Sequence, residues 1–124
     1  MIRLQKDDTE GPIPDPWRPT LSALVDSLVE RAPTIGGGIP DVESVPDRVR
    51  KQCLSAVDSY GDVDLAPLPE ETWKTSVAAW QGDHWLCLID LWTEQVGRSD
   101  LVLEVEVREH EPGFRFTVTM VYVP

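Results

Sequence analysis

The stretch WLCLIDLW at residues 85–92 decides the fold class, because apolar side chains occupy every second position from Trp85 to Leu91. Leu86, Leu88 and Trp92 are apolar as well, so only Asp90 is polar, and such a short apolar run is compatible with a buried β-strand. The segments 101–108 and 114–123 alternate between apolar and polar residues over most of their length, and short polar loops around Gly97 and Gly113 connect the strands. The C-terminal part of the chain therefore predicts consecutive antiparallel strands.

The register of these strands follows from the alternation, since a slip of one residue would exchange the two faces of the sheet. We expect every core-facing pair to be apolar. The predicted pairs are Trp85 with Val107, Cys87 with Val105, Ile89 with Leu103 and Leu91 with Leu101. The last strand adds Phe114, Phe116, Val118 and Met120 to this face, opposite Val107, Val105, Leu103 and Leu101 in that order.

Two helices are predicted before the strands. Apolar residues at helical spacing predict a first helix over 17–32, and a second helix begins at Ser44 and ends at Gly61. Residues 73–80 fit both a helix and a strand, and we interpret them as a short helical turn followed by a strand. This order predicts an α+β fold, with two N-terminal helices packed on one face of a four-stranded antiparallel meander.

The chain length of 124 residues indicates one domain. Residues 1–15 are predicted to be a flexible N-terminal arm, because the prolines near its end restrict their neighbours and remove backbone donors. Residues 16–124 then form the single α+β domain. No apolar run has the length of a membrane span or of a secretion signal, so we expect a cytoplasmic protein that does not bind membranes.

Charge limits the classes of partner. The sequence holds 22 acidic and 11 basic residues, for a net charge of −11. Nucleic acid is excluded as an expected partner because phosphate binding requires a basic surface. The acidity indicates either solubility alone or attraction to a basic protein. Cys53 and Cys87 match no metal-ligand spacing and are predicted to be free thiols, and we expect no cofactor.

The second face of the predicted meander carries the candidate site. It combines large apolar side chains with a rim of carboxylates, and three interpretations remain open. The sheet could curl over this face to form a second core, the arm or another subunit could cover it, or it is a recognition surface with an aromatic anchor. The candidate partner-binding residues are Leu88, Asp90, Trp92, Asp100, Glu104 and Glu106; Leu86, Val102, Arg115, Thr117, Thr119 and Val121 are predicted to share the face.

No catalytic residue is predicted, and we expect a protein that is not an enzyme. Asp90 interrupts an apolar strand and therefore needs a partner, for which Arg98 and Arg115 are the candidates. If Asp90 approached Glu104 instead, the repulsion of like charges would raise one carboxyl pKa and create an acid–base site.

Several sequence segments carry a resemblance to a known family. They are YG at 60–61, LPEETW at 68–73, TSV at 75–77, WLCLIDLWTE at 85–94 and GRSDLVLE at 97–104. This pattern resembles a family of small bacterial proteins of unknown function, which implies no activity and no catalytic residue.

Two broader resemblances give the function hypotheses. In size, charge and architecture the chain is similar to immunity proteins, which implies a non-enzymatic binder of a basic toxin. The order of elements is also similar to cystatin-like and nuclear-transport-factor-like folds, which implies a curved sheet around a small-molecule pocket containing Asp90. A homodimer joined through the Trp92 face is a third possibility.

Overall fold

The computed structural model describes Leu4, Lys6, Asp7 and residues 9–124. This part of the chain is α+β, as predicted, and contains two α-helices and a six-stranded sheet rather than the expected four strands. No helix in it is long and apolar enough to cross a membrane. The elements are β1 Glu10–Pro12, α1 Arg18–Val29, α2 Asp47–Tyr60, β2 Leu65–Ala66, β3 Val77–Trp80, β4 Trp85–Thr93, β5 Gly97–His110 and β6 Gly113–Tyr122, with 3-10 turns at Asp15–Trp17 and Glu70–Lys74.

The sheet is open and its named strands pair antiparallel in the order β1-β3-β4-β5-β6. The short strand β2 also pairs with β4, beyond the end of β3, through Leu65–Thr93 and Ala66–Trp92. Strands β1 and β2 are three and two residues long. A strand of that length shows no alternation, which is why the sequence did not reveal them.

The predicted register between β4 and β5 is confirmed at three pairs and then fails. Trp85–Val107, Cys87–Val105 and Ile89–Leu103 are paired as expected, and Asp90 faces Val102. A bulge follows, after which Trp92 faces Arg98, so the predicted Leu91–Leu101 pair is absent from the ladder. Extra residues in one strand locally disrupt pairing and increase the twist.

The predicted register of β6 is wrong by two residues at its start, because Val107 faces Phe116 rather than Phe114. A second bulge, between Glu104 and Val105, then shifts the pairing once more. As a result Val121 is fully buried, whereas Met120 is only partly buried. The prediction that Met120 lies in the core and Val121 on the opposite face is therefore reversed.

Residues 10–15 of the predicted N-terminal arm belong to the folded domain. Strand β1 pairs with β3, and Ile13 is 1% exposed. The rest of the prediction concerns residues that include 1–3, 5 and 8, which lie outside the described residues. The ambiguous segment 73–80 is a 3-10 turn followed by β3, as we interpreted it.

The two helices are shorter than the sequence suggested. Helix α1 ends at Val29 rather than at residue 32, and α2 begins at Asp47 because Pro46 occupies its N-cap position. The buried residues of α1, α2 and the sheet form one hydrophobic cluster, which includes Trp17, Leu24, Cys53, Ile89 and Val105.

The two outer strands of the sheet are poor sites for the addition of another strand. Strand β1 is short and ends in a proline, a combination that limits edge pairing. Along β6, the backbone groups of Phe116 bond to Asp41 and Glu43, and the Gln52 side chain bonds both backbone groups of Val121. The faces of the sheet are thus better binding surfaces than its edges.

Candidate functional site

The open face is the side of β4 and β5 that carries Leu86, Leu88, Asp90, Trp92, Val102, Glu104 and Glu106. Its apolar members lie outside the hydrophobic cluster described above. Leu86, Leu88 and Trp92 are partly exposed, and Val102 is 4% exposed. One interpretation predicted that the sheet curls over this face to form a second core. The described residues do not form such a core over Leu86 and Leu88.

Hydroxyl groups fix Asp90 in a gap of the sheet. On one side of β4, strand β3 ends at Val77 and β2 begins to pair only at Trp92, so Asp90 has no strand partner there. Its backbone N–H donates to Ser76 Oγ at 3.0 Å, and its carbonyl accepts from Thr72 Oγ1 at 2.7 Å. Because a buried unsatisfied backbone group costs about 1–3 kcal/mol, these two hydroxyls stabilise the gap.

A third hydroxyl supports the bulge on the other side of β4. Ser99 Oγ donates to the Leu91 carbonyl at 2.7 Å and accepts from the Leu101 N–H at 3.1 Å. Ser99 is 6% exposed. Because buried backbone groups need hydrogen-bond partners, its hydroxyl replaces the strand-to-strand bonds that are missing at the bulge. Arg98, Ser99 and Asp100 of this bulge line a groove beside Asp90.

This Asp90 groove is open and has a volume of about 380 Å³. Thr75 donates a short hydrogen bond to the Asp90 carboxylate within it. The predicted ion pair is wrong, because Arg98 lines the groove without forming an ion pair to Asp90, and Arg115 pairs with Glu43 at 2.8 Å. The lining residues include Thr75, Asp90, Arg98, Ser99, Asp100 and Val123.

Asp100 lies in the bulge and connects the groove to helix α2. The Tyr60 hydroxyl, from the last turn of α2, accepts from the Asp100 backbone N–H at 3.1 Å. The same hydroxyl lies 3.4 Å from Asp100 Oδ2, to which it donates. Tyr60 thereby orients an exposed carboxylate beside Asp90, and the bulge brings together two of the predicted site residues.

Glu104 is also oriented by hydroxyl groups. Its Oε2 accepts from Thr119 Oγ1 at 2.5 Å, and its Oε1 accepts from the Tyr122 hydroxyl at 3.3 Å. Burial raises the pKa of Tyr122, and the adjacent Glu104 carboxylate raises it further. Tyr122 therefore stays protonated at neutral pH and remains a donor to Glu104.

Glu106 has different surroundings from the other candidate acids. Its carboxylate lies 3.3 Å from Arg108 and 3.8 Å from Nε2 of His84. His84 Nδ1 also donates to Asp83 at 2.5 Å, and Arg108 pairs with Asp83 at 3.2 Å. The hydrogen bond from His84, followed by that from Arg108, lowers the pKa of Asp83. This end of the open face is thus a network of mixed charge.

Trp92 does not present its indole N–H to solvent. The nitrogen is buried without a hydrogen-bond partner in the described chain, and a Cβ at Gly97 would lie 3.7 Å from the ring. The ring thus packs close to the backbone at Gly97. Trp92 contributes part of its ring surface to the open face and is less accessible than the predicted anchor.

The hydroxyl partners are the residues of the candidate site that the sequence did not predict. Thr72, Thr75 and Ser76 bond to Asp90, and Ser99 bonds to the neighbouring Leu91 carbonyl, so only the tertiary structure brings these hydroxyls to the site. Their one sequence signal is a concentration of hydroxyl side chains at 72–76. No group of three or more potential metal ligands occurs among the described residues.

The alternative pocket hypothesis requires an enclosed cavity containing Asp90 and Trp92. The Asp90 groove is open, and Trp92 is not among its lining residues. A second cavity, of about 40 Å³ between α1, α2 and β2, is lined by apolar residues with Arg31 and Asp64. Neither cavity matches the pocket that we predicted.

The fold and the site define a small acidic α+β domain in which one face of the sheet is partly exposed. The chain belongs to the family described as a domain of unknown function (DUF7668), which it matches over residues 25–124. None of the curated proteins and none of the solved structures compared with the chain is significantly similar to it. The match includes all six candidate site residues and confirms the resemblance to a family of unknown function.

Proposed function

We propose that this domain is a non-enzymatic protein-binding module that engages a basic partner through its open face. One observation carries the proposal. The carboxylates of Asp90, Asp100 and Glu104 accept hydrogen bonds from hydroxyl groups. In the described chain, no Lys, Arg or His nitrogen lies within 4.0 Å of any of the three.

Hydroxyl partners orient a carboxylate without neutralising it. The three negative charges thus remain available to Lys or Arg side chains of another molecule. A chain with a net charge of −11 attracts such a partner at long range and accelerates encounter at low salt. Charge-assisted hydrogen bonds to the oriented oxygens then supply specificity at short range.

Apolar surface beside the acids supplies contact area. Leu88 is partly exposed between Val77 and Glu104, and Val123 is 54% exposed at the Asp90 groove. Apolar area with a charged rim is the composition of many protein interfaces. Glu106 is a weaker contributor because Arg108 already pairs with it. An immunity-like role, in which the partner is a basic toxin, is one specific form of this proposal.

Paired charge-removing variants test the proposal. Asp100→Asn/Glu104→Gln removes two negative charges from the open face and keeps side chains of similar shape. Asp26→Asn/Glu30→Gln removes two from exposed positions on and just after α1 and serves as the matched control. A fluorescent decalysine peptide is the defined probe, and its binding is measured by anisotropy at low salt. We expect the face variant to bind at least about tenfold more weakly, since the loss of even one charge-assisted contact costs about that much.

The outcome separates a site from general charge attraction. If both double variants weakened peptide binding equally, binding would depend only on the net charge of the protein. That result would refute the proposal that the open face is the binding site. Proteins captured from a lysate count as partners only if they bind the wild type and the control but not the face variant. A dimer that the face substitutions dissociate would instead support the homodimer hypothesis.

A further inference from the structure

A second site lies at the opposite end of β4 from the Asp90 groove. The Lys6 ammonium lies 5.0 Å from the ring centroid of Trp80 and 5.6 Å from that of Trp85. It also forms an ion pair of 2.7 Å with Glu109. One cation is thus held by two indole rings and a carboxylate.

The aromatic walls are fixed by the fold. Trp80 and Trp85 are directly paired across β3 and β4, with ring centroids 4.5 Å apart and planes inclined at 59°. Trp85 is 2% exposed and makes edge-on contacts with Trp17 at 5.3 Å and Phe114 at 6.1 Å. Because the core holds Trp85, this wall does not depend on Lys6 for its position.

We propose that Trp80, Trp85 and Glu109 form a binding site for an alkylammonium group, and that Lys6 occupies this site in the isolated chain. The face of an indole ring is electrostatically negative and attracts cations, and quaternary ammonium groups are recognised in proteins by such rings. Glu109 adds a full negative charge. The site uses none of the three acids of the proposed binding face and extends beyond that function.

Lys6 acts as a tethered competitor. It lies only four positions before β1 in the sequence, so its effective concentration at the rings is on the order of millimolar or higher. An external ligand must therefore displace it. The rings and Glu109 lie within the family match at 25–124, whereas Lys6 lies outside it.

Two sources supply the required chemistry, namely a free trimethylammonium compound and a trimethylated lysine side chain of another protein. Choline represents the first source, and a short peptide with one trimethyllysine represents the second. The neutral isostere 3,3-dimethylbutan-1-ol and the peptide with unmodified lysine are the matched control ligands. Binding is measured from the indole NMR signals of Trp80 and Trp85 in the full chain and in Lys6→Ala.

We expect choline to shift both indole signals in Lys6→Ala, with a Kd at least about threefold lower than in the wild type because the tethered competitor is gone. The neutral isostere should bind at least about threefold more weakly than choline, since it lacks the cation–π attraction. If the peptide binds more tightly than choline, the source is a modified protein; the reverse order indicates a free compound.

Two further variants make the result decisive. Glu109→Gln changes an exposed side chain and should weaken choline binding in the Lys6→Ala background without unfolding the protein. Lys51→Ala removes an ammonium that pairs with Asp47 on α2 and should leave choline binding at the wild-type value. The proposal is overturned if choline leaves both indole signals of Lys6→Ala unchanged, if the isostere binds as tightly as choline, or if Glu109→Gln has no effect.

Discussion

The two faces of β4 and β5 are made by alternate residues of the same strands, and they differ in how far their side chains are buried. On the core face, Cys87, Ile89, Leu103 and Val105 are each 0% exposed. On the open face, Leu88, Asp90 and Glu104 are partly exposed, and hydroxyl groups hold the two acids in place. The comparison indicates that the core face supplies stability, whereas the open face carries oriented acids, as the proposed binding function requires.

Thiol reactivity should show the largest difference between the faces. Burial raises the pKa of Cys53 to about 11 and that of Cys87 to about 12, so both thiols are protonated and enclosed at pH 8. We expect each to react with a disulfide reagent at least about 10³-fold more slowly than in the unfolded chain, because modification requires opening of the core. A cysteine introduced by Leu88→Cys, one residue from Cys87 on the open face, should react without such opening.

The same pKa values predict a loss of stability at alkaline pH. Folding raises both thiol pKa values above the ordinary 9.0. The stability that this shift contributes is therefore full below pH 9 and is lost as the pH rises through about 11 and about 12.

The difference in thiol reactivity is measured at pH 8, with and without urea, from the rate at which the disulfide reagent reacts with each cysteine. Equal native rates for Cys87 and the cysteine at position 88 would contradict the comparison.

Truncation of one leucine on each face should give the next largest difference. Leu103→Ala removes a 0% exposed side chain from the core and should lower the free energy of unfolding by about 2–5 kcal/mol. Leu88→Ala removes a partly exposed side chain and should cost about 1 kcal/mol or less. Urea unfolding measures both. Equal losses would show that the open face belongs to the core.

The gap at Asp90 allows a third comparison, between Thr72 of the 3-10 turn and Thr75, which follows that turn. Thr72 is 0% exposed and donates to the Asp90 carbonyl, so Thr72→Val should cost about 1–3 kcal/mol by leaving that carbonyl unsatisfied. Thr75 is exposed and donates to the Asp90 carboxylate, which water can solvate, so Thr75→Val should cost about 1 kcal/mol or less. Urea unfolding distinguishes the two, and a larger loss for Thr75→Val would refute this division of roles.

The alternation of the sequence predicts the register only where the ladder is regular. It pairs Cys87 with Val105 correctly, and it fails after Asp90 because the bulge adds residues to β5. One signal was present, since Leu101, Val102 and Leu103 are consecutive apolar residues and all three are buried. A run of three breaks the two-residue period and is compatible with a bulge, but the position of the bulge depends on Ser99 and its tertiary hydrogen bonds.

The sequence placed Leu88, Glu104 and Glu106 on one face of β4 and β5, but it did not predict the hydrogen-bond partners of the candidate acids. Asp90 is conspicuous in an apolar strand, and the sequence indicated that its carboxylate needed a partner. That partner is Thr75, just after the 3-10 turn, rather than Arg98 or Arg115, while Thr72 and Ser76 bond the backbone groups of Asp90. Long-range contacts of this kind depend on where Glu70–Lys74 packs, which no local pattern specifies.

The smallest expected effect concerns the two ends of the open face, of which the Glu106 end alone is paired with cations. The hydrogen bond from His84, and then that from Arg108, lower the pKa of Asp83. A lowered carboxyl pKa stabilises the fold above the ordinary value of 3.8, and the contribution is lost as the pH falls through the lowered value.

Because Asp83 is exposed, the effect on the free energy of unfolding should be small, but the carboxyl ¹³C signal of Asp83 should titrate below the ordinary range. His84→Gln should move that titration upward, whereas Lys51→Ala, far along the chain on α2, should leave it unchanged. If His84→Gln leaves the Asp83 pKa where it was, then Arg108 alone sets it, and the imidazole has no part in distinguishing this end of the face from the Asp90 groove.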